Sequence, residues 1–402
     1  MPGPEAAGSA PGVTTLAPRA DGLRGFEVGF PSGARTRVLV GPGAIALLPA
    51  LCAEAGLTGT GGMLCDARLY LLHKAALDAV ARPFGGVLAR PVQEDRKSLA
   101  EVEAMCEVLS GRGVSRDGFV IAVGGGVLTD LGGLAAALFL RGVPWVACPT
   151  TLLSQVDAGL GGKTGANLRA GKNLVGAFHQ PRLLIADSAL LSTLPIRERW
   201  SGLAEVVKCA LLLPAHDAAG EPFLARCERT LEAAAQGDAA ALAPLIEAAL
   251  RIKAEVVCAD EREGEPGTAA TASPLLRAFL NLGHTVGHAL ETATAYRNFT
   301  HGEAVALGLR GAIALSRSRG LYSETDAARA LSLVRRLQVG GALGAARLGP
   351  AERELALQAM TRDKKVSKGN VRFVLLRSGA LPVLEVATPQ EQALALDAAL
   401  LP

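Results

Sequence analysis

Between about Phe26 and Leu194, short apolar runs rich in β-branched residues recur between amphipathic stretches. Arg37–Val40, Met63–Cys65, Val87–Ala89, Phe119–Val123, Trp145–Cys148 and Leu183–Ala186 predict strands, and helical spacing lies between them, as over Lys97 to Ser110. That alternation predicts an α/β, Rossmann-like domain over 26–194, a parallel sheet covered by helices on both faces. Such sheets bind ligands at the carboxyl ends of their strands.

The texture changes after Thr193-Leu194-Pro195. Arg197–Leu213, Asp238–Ala259, Arg277–Ala295, Gly302–Arg319 and Thr325–Arg336 are rich in Ala and Leu at helical spacing, so 195–402 reads as a mainly α-helical domain. Val371–Leu376 and Val383–Val386, parted by Ser378-Gly379, read as one hairpin. Residues 1–25, dense in Ala, Gly and Pro, read as a flexible tail, and Gly264–Pro274 (GEPGTAATASP) as a surface loop.

Composition narrows the classes. Of 402 residues 50% are hydrophobic and 20% charged, enough interior for two globular domains. The balance of 41 Lys and Arg against 38 Asp and Glu, net +3, lacks the basic excess of a nucleic-acid binder, so an anionic partner is small and met locally. The 7 cysteines include no CxxC pair and are odd in number, which implies reduced thiols in a cytoplasmic protein. Apolar runs such as Gly133 to Leu140 are too short and too interrupted to span a bilayer.

Candidate chemistry begins at FVIAVGGGVLTDLGG, Phe119 to Gly133, where Gly124, Gly125 and Gly126 directly follow a strand and open a helix. Only glycine lets the backbone turn so tightly and approach a pyrophosphate, whose charge the helix amides then meet. Such a turn alone is a weak signal, but here the strand and helix context supports it. Asp66 and Glu94 follow predicted strands, Glu94 just before Lys97. A carboxylate there suits the ribose hydroxyls of a dinucleotide, although singly each is more often a helix cap.

PTTLLSQVDAGLGGKTGANLRAGKNLVGAF, Pro149 to Phe178, sets Lys163 and Lys172 among glycines, with Asp157, Asn167 and Asn173 close by. Ammonium groups beside neutral amide donors are what a phosphate monoester requires. In SGLAEVVK, Glu205 and Lys208 lie three apart among Leu203, Val206 and Val207, where a buried carboxylate is costly unless it holds a cation. His284 and His288 follow one turn apart in LNLGHTVGH, and His301 in THGEA. One histidine on an apolar helix is usually a satisfied core residue. Three imidazoles and a carboxylate together suit a Zn²⁺-like site with one open position, and spacing does not say which three of the four are ligands. Arg277, Asn281, His284 and His288 follow one another at spacings of four, three and four, a polar stripe expected to line a pocket. Lys253, and Lys364 with Lys365 in RDKK, add charge to the same cavity or lie on the surface.

A dinucleotide turn, a metal site and a surplus of basic groups together permit oxidation of an alcohol by NAD⁺ followed by loss of phosphate beside the new ketone. The motifs GGGVLTDLGG, RGVPWVACPTTLLSQVD, GGKTGAN, GKNLVGAFHQP, GLAEVVK, LNLGHTVGHALE, HGEAVALG and RDKK, in this order from about Val38 to Val386, resemble the 3-dehydroquinate synthase family of sugar phosphate cyclases. The resemblance implies a dehydroquinate synthase-like fold and conversion of 3-deoxy-D-arabino-heptulosonate 7-phosphate to 3-dehydroquinate and phosphate. The route runs by transient NAD oxidation, elimination, re-reduction and aldol closure. It also implies NAD, one Zn²⁺ or Co²⁺, and a homodimer, with no nucleic-acid or membrane partner.

The resemblance assigns metal ligation to Glu205, His284 and His301, leaving His288 for proton transfer in the substrate site. It carries Asp157, Lys163, Asn173, Lys208, Lys253, Arg277, Asn281 and Lys364 to the substrate, and Arg141 to the phosphate across a subunit boundary. Cofactor contacts carry over to Asp66, Glu94, Lys97, Gly125, Gly126, Asp130, Thr150, Thr151, Lys163, Lys172 and Thr193. Asn281 and His288 read as in the dehydroquinate type rather than the valiolone or deoxy-inosose type. An amino-dehydroquinate synthase and a metal-dependent polyol dehydrogenase of the same architecture are the alternatives; a neutral polyol needs no phosphate cradle.

Overall fold

In a computed structural model describing residues 11–216, 220–264, 275–339, 348–362 and 370–401, the apolar runs of the first half become strands with few exposed residues. The strands are β1 (Gly12–Thr15), β2 (Arg24–Gly29), β3 (Arg35–Val40), β4 (Gly61–Asp66), β5 (Val87–Arg90), β6 (Phe119–Gly124), β7 (Trp145–Pro149), β8 (Lys163–Leu168), β9 (Gly171–Phe178) and β10 (Leu183–Ala186). Eight form one sheet in the order β1-β2-β3-β10-β7-β6-β4-β5, parallel from β3 to β5. All five residues of β7 and all six of β6 are buried, as expected of strands covered on both faces.

Two features of this half differ from the sequence expectation. The tail expected over 1–25 includes ordered edge strands, since β1 pairs antiparallel with β2, Val13 opposite Val28, and Leu23 is buried. The β-branched Val13, Thr14 and Thr15 favour that extended pairing despite the flanking glycine and prolines. β8 and β9 form an antiparallel hairpin of their own within the glycine-rich segment.

The helices of this half are α1 (Leu48–Glu54), α2 (Ala67–Leu72), α3 (Lys74–Ala81), α4 (Leu99–Gly111) and α5 (Gly126–Leu138). Met63, Phe119, Ile121, Val146 and Ile185 from the sheet pack with Leu48, Leu51 and Leu77 in one apolar core.

The chain divides into two compact units, one holding the described residues up to Leu194 together with Lys253–Arg262, the other holding the rest. The second is mainly helical: α6 (Ile196–Leu212), α7 (Phe223–Ala235), α8 (Ala239–Ala259, whose end from Lys253 belongs to the first unit), α9 (His284–Ala293), α10 (His301–Ser318), α11 (Glu324–Val339), α12 (Pro350–Arg362) and α13 (Pro389–Leu400). The expected hairpin is β11 (Arg372–Arg377) with β12 (Ala380–Val386). Its core gathers Val286, Leu290, Leu307, Leu315, Met360, Phe373 and Leu396.

The single helix expected over Arg277–Ala295 is two elements. Arg277–Asn281 is a 3₁₀ turn, and α9 starts only at His284. Gly283 between them sits at φ 78°, and a Cβ there would lie 2.9 Å from the Leu309 amide nitrogen, so the chain reverses hand at the one residue type that fits. Arg277 and Asn281 are therefore not on one helical face with His284 and His288. Among the described residues no helix is long and apolar enough to cross a membrane.

Candidate functional site

In the first unit the glycine-rich turn begins where β6 ends. Gly125 caps α5, and a Cβ there would lie 3.2 Å from Thr151 Cγ2, whereas at Gly126 it would meet only Ala158 Cβ, at 3.6 Å. Gly132 presses α5 onto β6, since a Cβ would fall 2.8 Å from Ala122 Cβ. Thr150, on the neighbouring strand end, donates its amide to the Gly124 carbonyl (2.9 Å), and Thr151 and Ser154 exchange amide-to-hydroxyl bonds of 3.2 Å. Asp66 ends β4, the strand on the other side of β6, and caps α2 by accepting the Leu69 amide at 2.9 Å. Asp66, Gly125, Gly126, Thr150 and Thr151 thus stand side by side at the carboxyl ends of three adjacent parallel strands, with the amides of α5 directed outward, where doubly wound sheets take dinucleotides.

Lys97 is buried and joins two other expected residues, donating at 2.5 Å both to Asp130 Oδ2 and to Asn173 Oδ1. Burial pushes the Asp130 carboxyl up although the Lys97 ammonium opposes it. Asn173 sits at φ 53°, a left-handed conformation asparagine tolerates, and its amide donates to Asn167 Oδ1 (2.9 Å). Asn167 in turn donates to Glu94 Oε1 at 2.9 Å, and Lys172, exposed, lies 3.7 Å from the same oxygen. Lys163 is exposed at the start of β8. Thr193 meets His73 Nε2 through its hydroxyl at 2.9 Å, a partner not foreseen from sequence. Asp157 lies in a π-turn, Ser154–Ala158, and receives the ammonium of buried Lys253, which also donates to the Asp157 carbonyl at 2.5 Å. Arg141 is exposed in a turn held left-handed at Leu140 (φ 51°) and Arg141 (φ 71°).

The second unit brings the histidines together. Ligand atoms of Glu205, His284 and His301 all lie within 4.8 Å of one another, as do those of His288, Glu291 and His301. Glu205 comes from α6, His284 opens α9 and His301 opens α10, so three helices each contribute a residue. Glu205 Oε1 is 3.6 Å from His284 Nε2 and 3.5 Å from His301 Nε2. Lys208, one turn along α6, pairs with Glu205 Oε2. Burial works against the Glu205 carboxylate, but Lys208 and the two imidazoles outweigh it and hold the group well below the usual carboxylate range. Burial, then the Lys208 ammonium, holds His284 well below the usual imidazole range. The neutral ring donates Nδ1–H to the Leu282 carbonyl at 3.1 Å and turns its Nε2 lone pair toward Glu205. Burial also opposes charge on His301, yet the carboxylates of Glu205 and Glu291 on its two nitrogens push it up to about 10. The His288 ring stands 5.2 Å from His284 and 6.0 Å from His301, centroid to centroid.

This cluster fits a divalent cation. Glu205 Oε1 is shut from solvent, has no hydrogen bond of good geometry and faces both imidazoles, an expensive arrangement that a cation would relieve. One carboxylate with two imidazole nitrogens is a donor set typical of Zn²⁺. Arg277 is buried beside this helix start and Asn281 half-buried. Lys364, Lys365 and the loop residues from 265 to 274 lie outside the described residues. Glu291 was not singled out from sequence, although its place three residues after His288 put it on the same helical face.

Two family models described as 3-dehydroquinate synthase, N-terminal and C-terminal, match residues 87–201 and 202–366. The 3-dehydroquinate synthase of Dichelobacter nodosus is 44% identical over 299 residues, 74% of this chain and 76% of that protein. The one from Solibacter usitatus is 43% identical over 312 residues, 77% of this chain and 81% of its own. Among solved structures, a 2-epi-5-epi-valiolone synthase from Streptomyces hygroscopicus with NAD⁺ and Zn²⁺ bound superposes with a TM-score of 0.72 at 28% identity, covering 90% of this chain and 96% of that one. A 2-deoxy-scyllo-inosose synthase complexed with carbaglucose-6-phosphate, NAD⁺ and Co²⁺ has the same fold, with a TM-score of 0.76 at 23% identity over 93% of this chain and 99% of the other.

Proposed function

This chain belongs to the 3-dehydroquinate synthase family and is an enzyme of that kind, and from that premise we propose how its residues serve the reaction. The substrate is 3-deoxy-D-arabino-heptulosonate 7-phosphate, the products 3-dehydroquinate and inorganic phosphate, with no net change in NAD. The observation that carries the reading is the buried Glu205 carboxylate, whose Oε1 faces His284 and His301 without a hydrogen bond of good geometry.

Glu205, His284 and His301 would hold the divalent ion, Zn²⁺ or Co²⁺. The strand ends and α5 would hold NAD through Asp66, Gly125, Gly126, Thr150 and Thr151, with Glu94, Lys97, Asp130, Lys163, Lys172 and Thr193 contributing. Bound there, these groups supply a Lewis acid and a hydride acceptor. The chain's own residues do the rest. Lys163 and Asn173, with Arg141 of the partner subunit, meet the phosphate, and Arg277 and Lys364 meet the rest of the anionic substrate. Lys253 fixes Asp157 by its ammonium, so that carboxylate keeps one orientation. Lys208 and Asn281 orient substrate hydroxyls. His288, not needed as a ligand, takes up or returns a proton at a ring nitrogen.

The same reading makes the protein a cytoplasmic homodimer. The exposed Arg141, held out by a left-handed turn, supports a shared site, and the seven free cysteines suit a reducing compartment. The test is an incubation of metal-loaded protein with the heptulosonate phosphate and NAD⁺. Phosphate and dehydroquinate are expected in equal amounts with no accumulation of NADH; steady NADH formation without phosphate release would overturn the assignment.

A further inference from the structure

His301 differs from His284 in what stands behind it. Each ring directs Nε2 toward Glu205 Oε1, at 3.5 and 3.6 Å. Behind His284 the Nδ1 partner is a backbone carbonyl, Leu282, fixed by the chain itself. Behind His301 it is a side chain, Glu291, whose Oε1 lies 3.3 Å from Nδ1. Glu291 is 7% exposed, and among the described residues the hydrogen bond to its carboxylate comes from His301. A carboxylate taken that far from water has to be matched by a donor of positive or strongly polarised hydrogen. It comes from the last full turn of α9, the helix that His284 opens, while His301 opens α10.

We propose that Glu291 is a positioning residue of the metal centre: it holds Nδ1–H of His301 and so fixes which nitrogen of that ring faces the cation. The inference rests on the metal reading above and adds to it a residue that neither touches the cation nor the substrate. The chemistry is specific. An imidazole has one lone pair to give when its other nitrogen keeps a proton, and a carboxylate on that proton both sets the ring plane and makes the free nitrogen a better donor. The closeness of His288, Glu291 and His301 allows a rival arrangement in which those three hold a second ion. That rival requires His301 to give up both ring protons, whereas in the proposed arrangement Nδ1 keeps its proton for Glu291 Oε1, 3.3 Å away.

The test compares Glu291→Ala and Glu291→Gln with the parent enzyme in three measurements. These are Zn²⁺ affinity by chelator competition, the visible d–d spectrum of the Co²⁺-loaded protein, and metal ions per chain. Removing such an outer partner lowers metal affinity about 10–100-fold. Glu291→Ala is expected to show that loss with an altered Co²⁺ spectrum. Glu291→Gln, whose carbonyl oxygen still accepts Nδ1–H, is expected to keep the spectrum and lose less. Parent protein is expected to hold one ion per chain. An unchanged affinity and spectrum in a folded Glu291→Ala, or two ions per chain in the parent falling to one in Glu291→Gln, would overturn the proposal. These readouts need no turnover, so a parent enzyme that binds metal but does not convert the heptulosonate phosphate sinks the functional reading and leaves the role of Glu291 to be judged by itself.

Discussion

Lys208 and Glu205 pair one turn apart on the helix Ile196–Leu212 in a place that excludes water, their side chains 3% and 1% exposed. Breaking a buried pair by removing one partner costs about 3–5 kcal/mol, because the other charge stays behind. A cation on Glu205 would replace the lost partner, and one held at a hundred times its Kd returns about 2.7 kcal/mol. Lys208→Met is therefore expected to be strongly destabilised in chelator and largely rescued by Zn²⁺, in urea titrations with and without the metal. Equal loss in both conditions would mean that Glu205 does not hold the ion.

Spacing alone left open which three of Glu205, His284, His288 and His301 bind metal, and the proposed division rests on two overlapping groups. His284 and His301 each aim Nε2 at Glu205, while His288 belongs to the outer group with Glu291. Replacing His284 by Asn is expected to empty the metal site, read as metal content after dialysis. Replacing His288 by Asn is expected to leave one ion per chain and lower kcat by about 10²–10⁴-fold, the usual contribution of a proton-transfer group. Loss of metal from both variants would exclude that division of labour.

How far the chain could be read without coordinates depended on burial. Strands such as Phe119–Gly124 are apolar throughout because both faces are covered, and that pattern is visible in one dimension. The hairpin of β8 and β9 is not, because Gly165 and Gly176 face each other across it and a Cβ on Gly176 would fall 2.0 Å from the Thr164 carbonyl; close approach demands the residue that strand propensity disfavours. Helical periodicity ran on from Arg277 to His288 across a break that only the backbone of Gly283 reveals. The metal-site residue types were legible as chemistry. Glu291 was not, since a glutamate on a helix is normally solvated and only its depth in the fold marks it.

At Gly126 the protein itself leaves room, the nearest atom to an added Cβ being Ala158 Cβ at 3.6 Å. Gly126→Ala is thus expected to fold normally, with stability unchanged or raised by up to about 1 kcal/mol, because alanine costs the unfolded chain entropy. If a pyrophosphate lies against this backbone, the same methyl group stands in its way. NAD⁺ affinity by calorimetry is expected to fall at least about tenfold, roughly 1.4 kcal/mol. An unchanged Kd in this variant would place the dinucleotide elsewhere.

The C-terminal helix α13 supplies a pH-dependent element away from the metal cluster. Thr388 and Glu391 form a capping box at its start, and Arg319 binds the Glu391 carboxylate through two 2.8 Å contacts. The Arg319 guanidinium, then the Thr388 amide, pull Glu391 down to about 2 from an ordinary 4.5. A carboxyl with a lowered folded-state pKa contributes stability that is complete above the unfolded value and is lost as pH falls through the folded one. Parent protein is therefore expected to exceed Glu391→Gln by about 1 kcal/mol at pH 7, the worth of a helix cap with a partly exposed ion pair. That gap is expected to narrow below pH 4.5 and close near pH 2. Thermal melts of both proteins across this range measure it, and a gap that stays constant with pH would show that the carboxylate's charge contributes nothing.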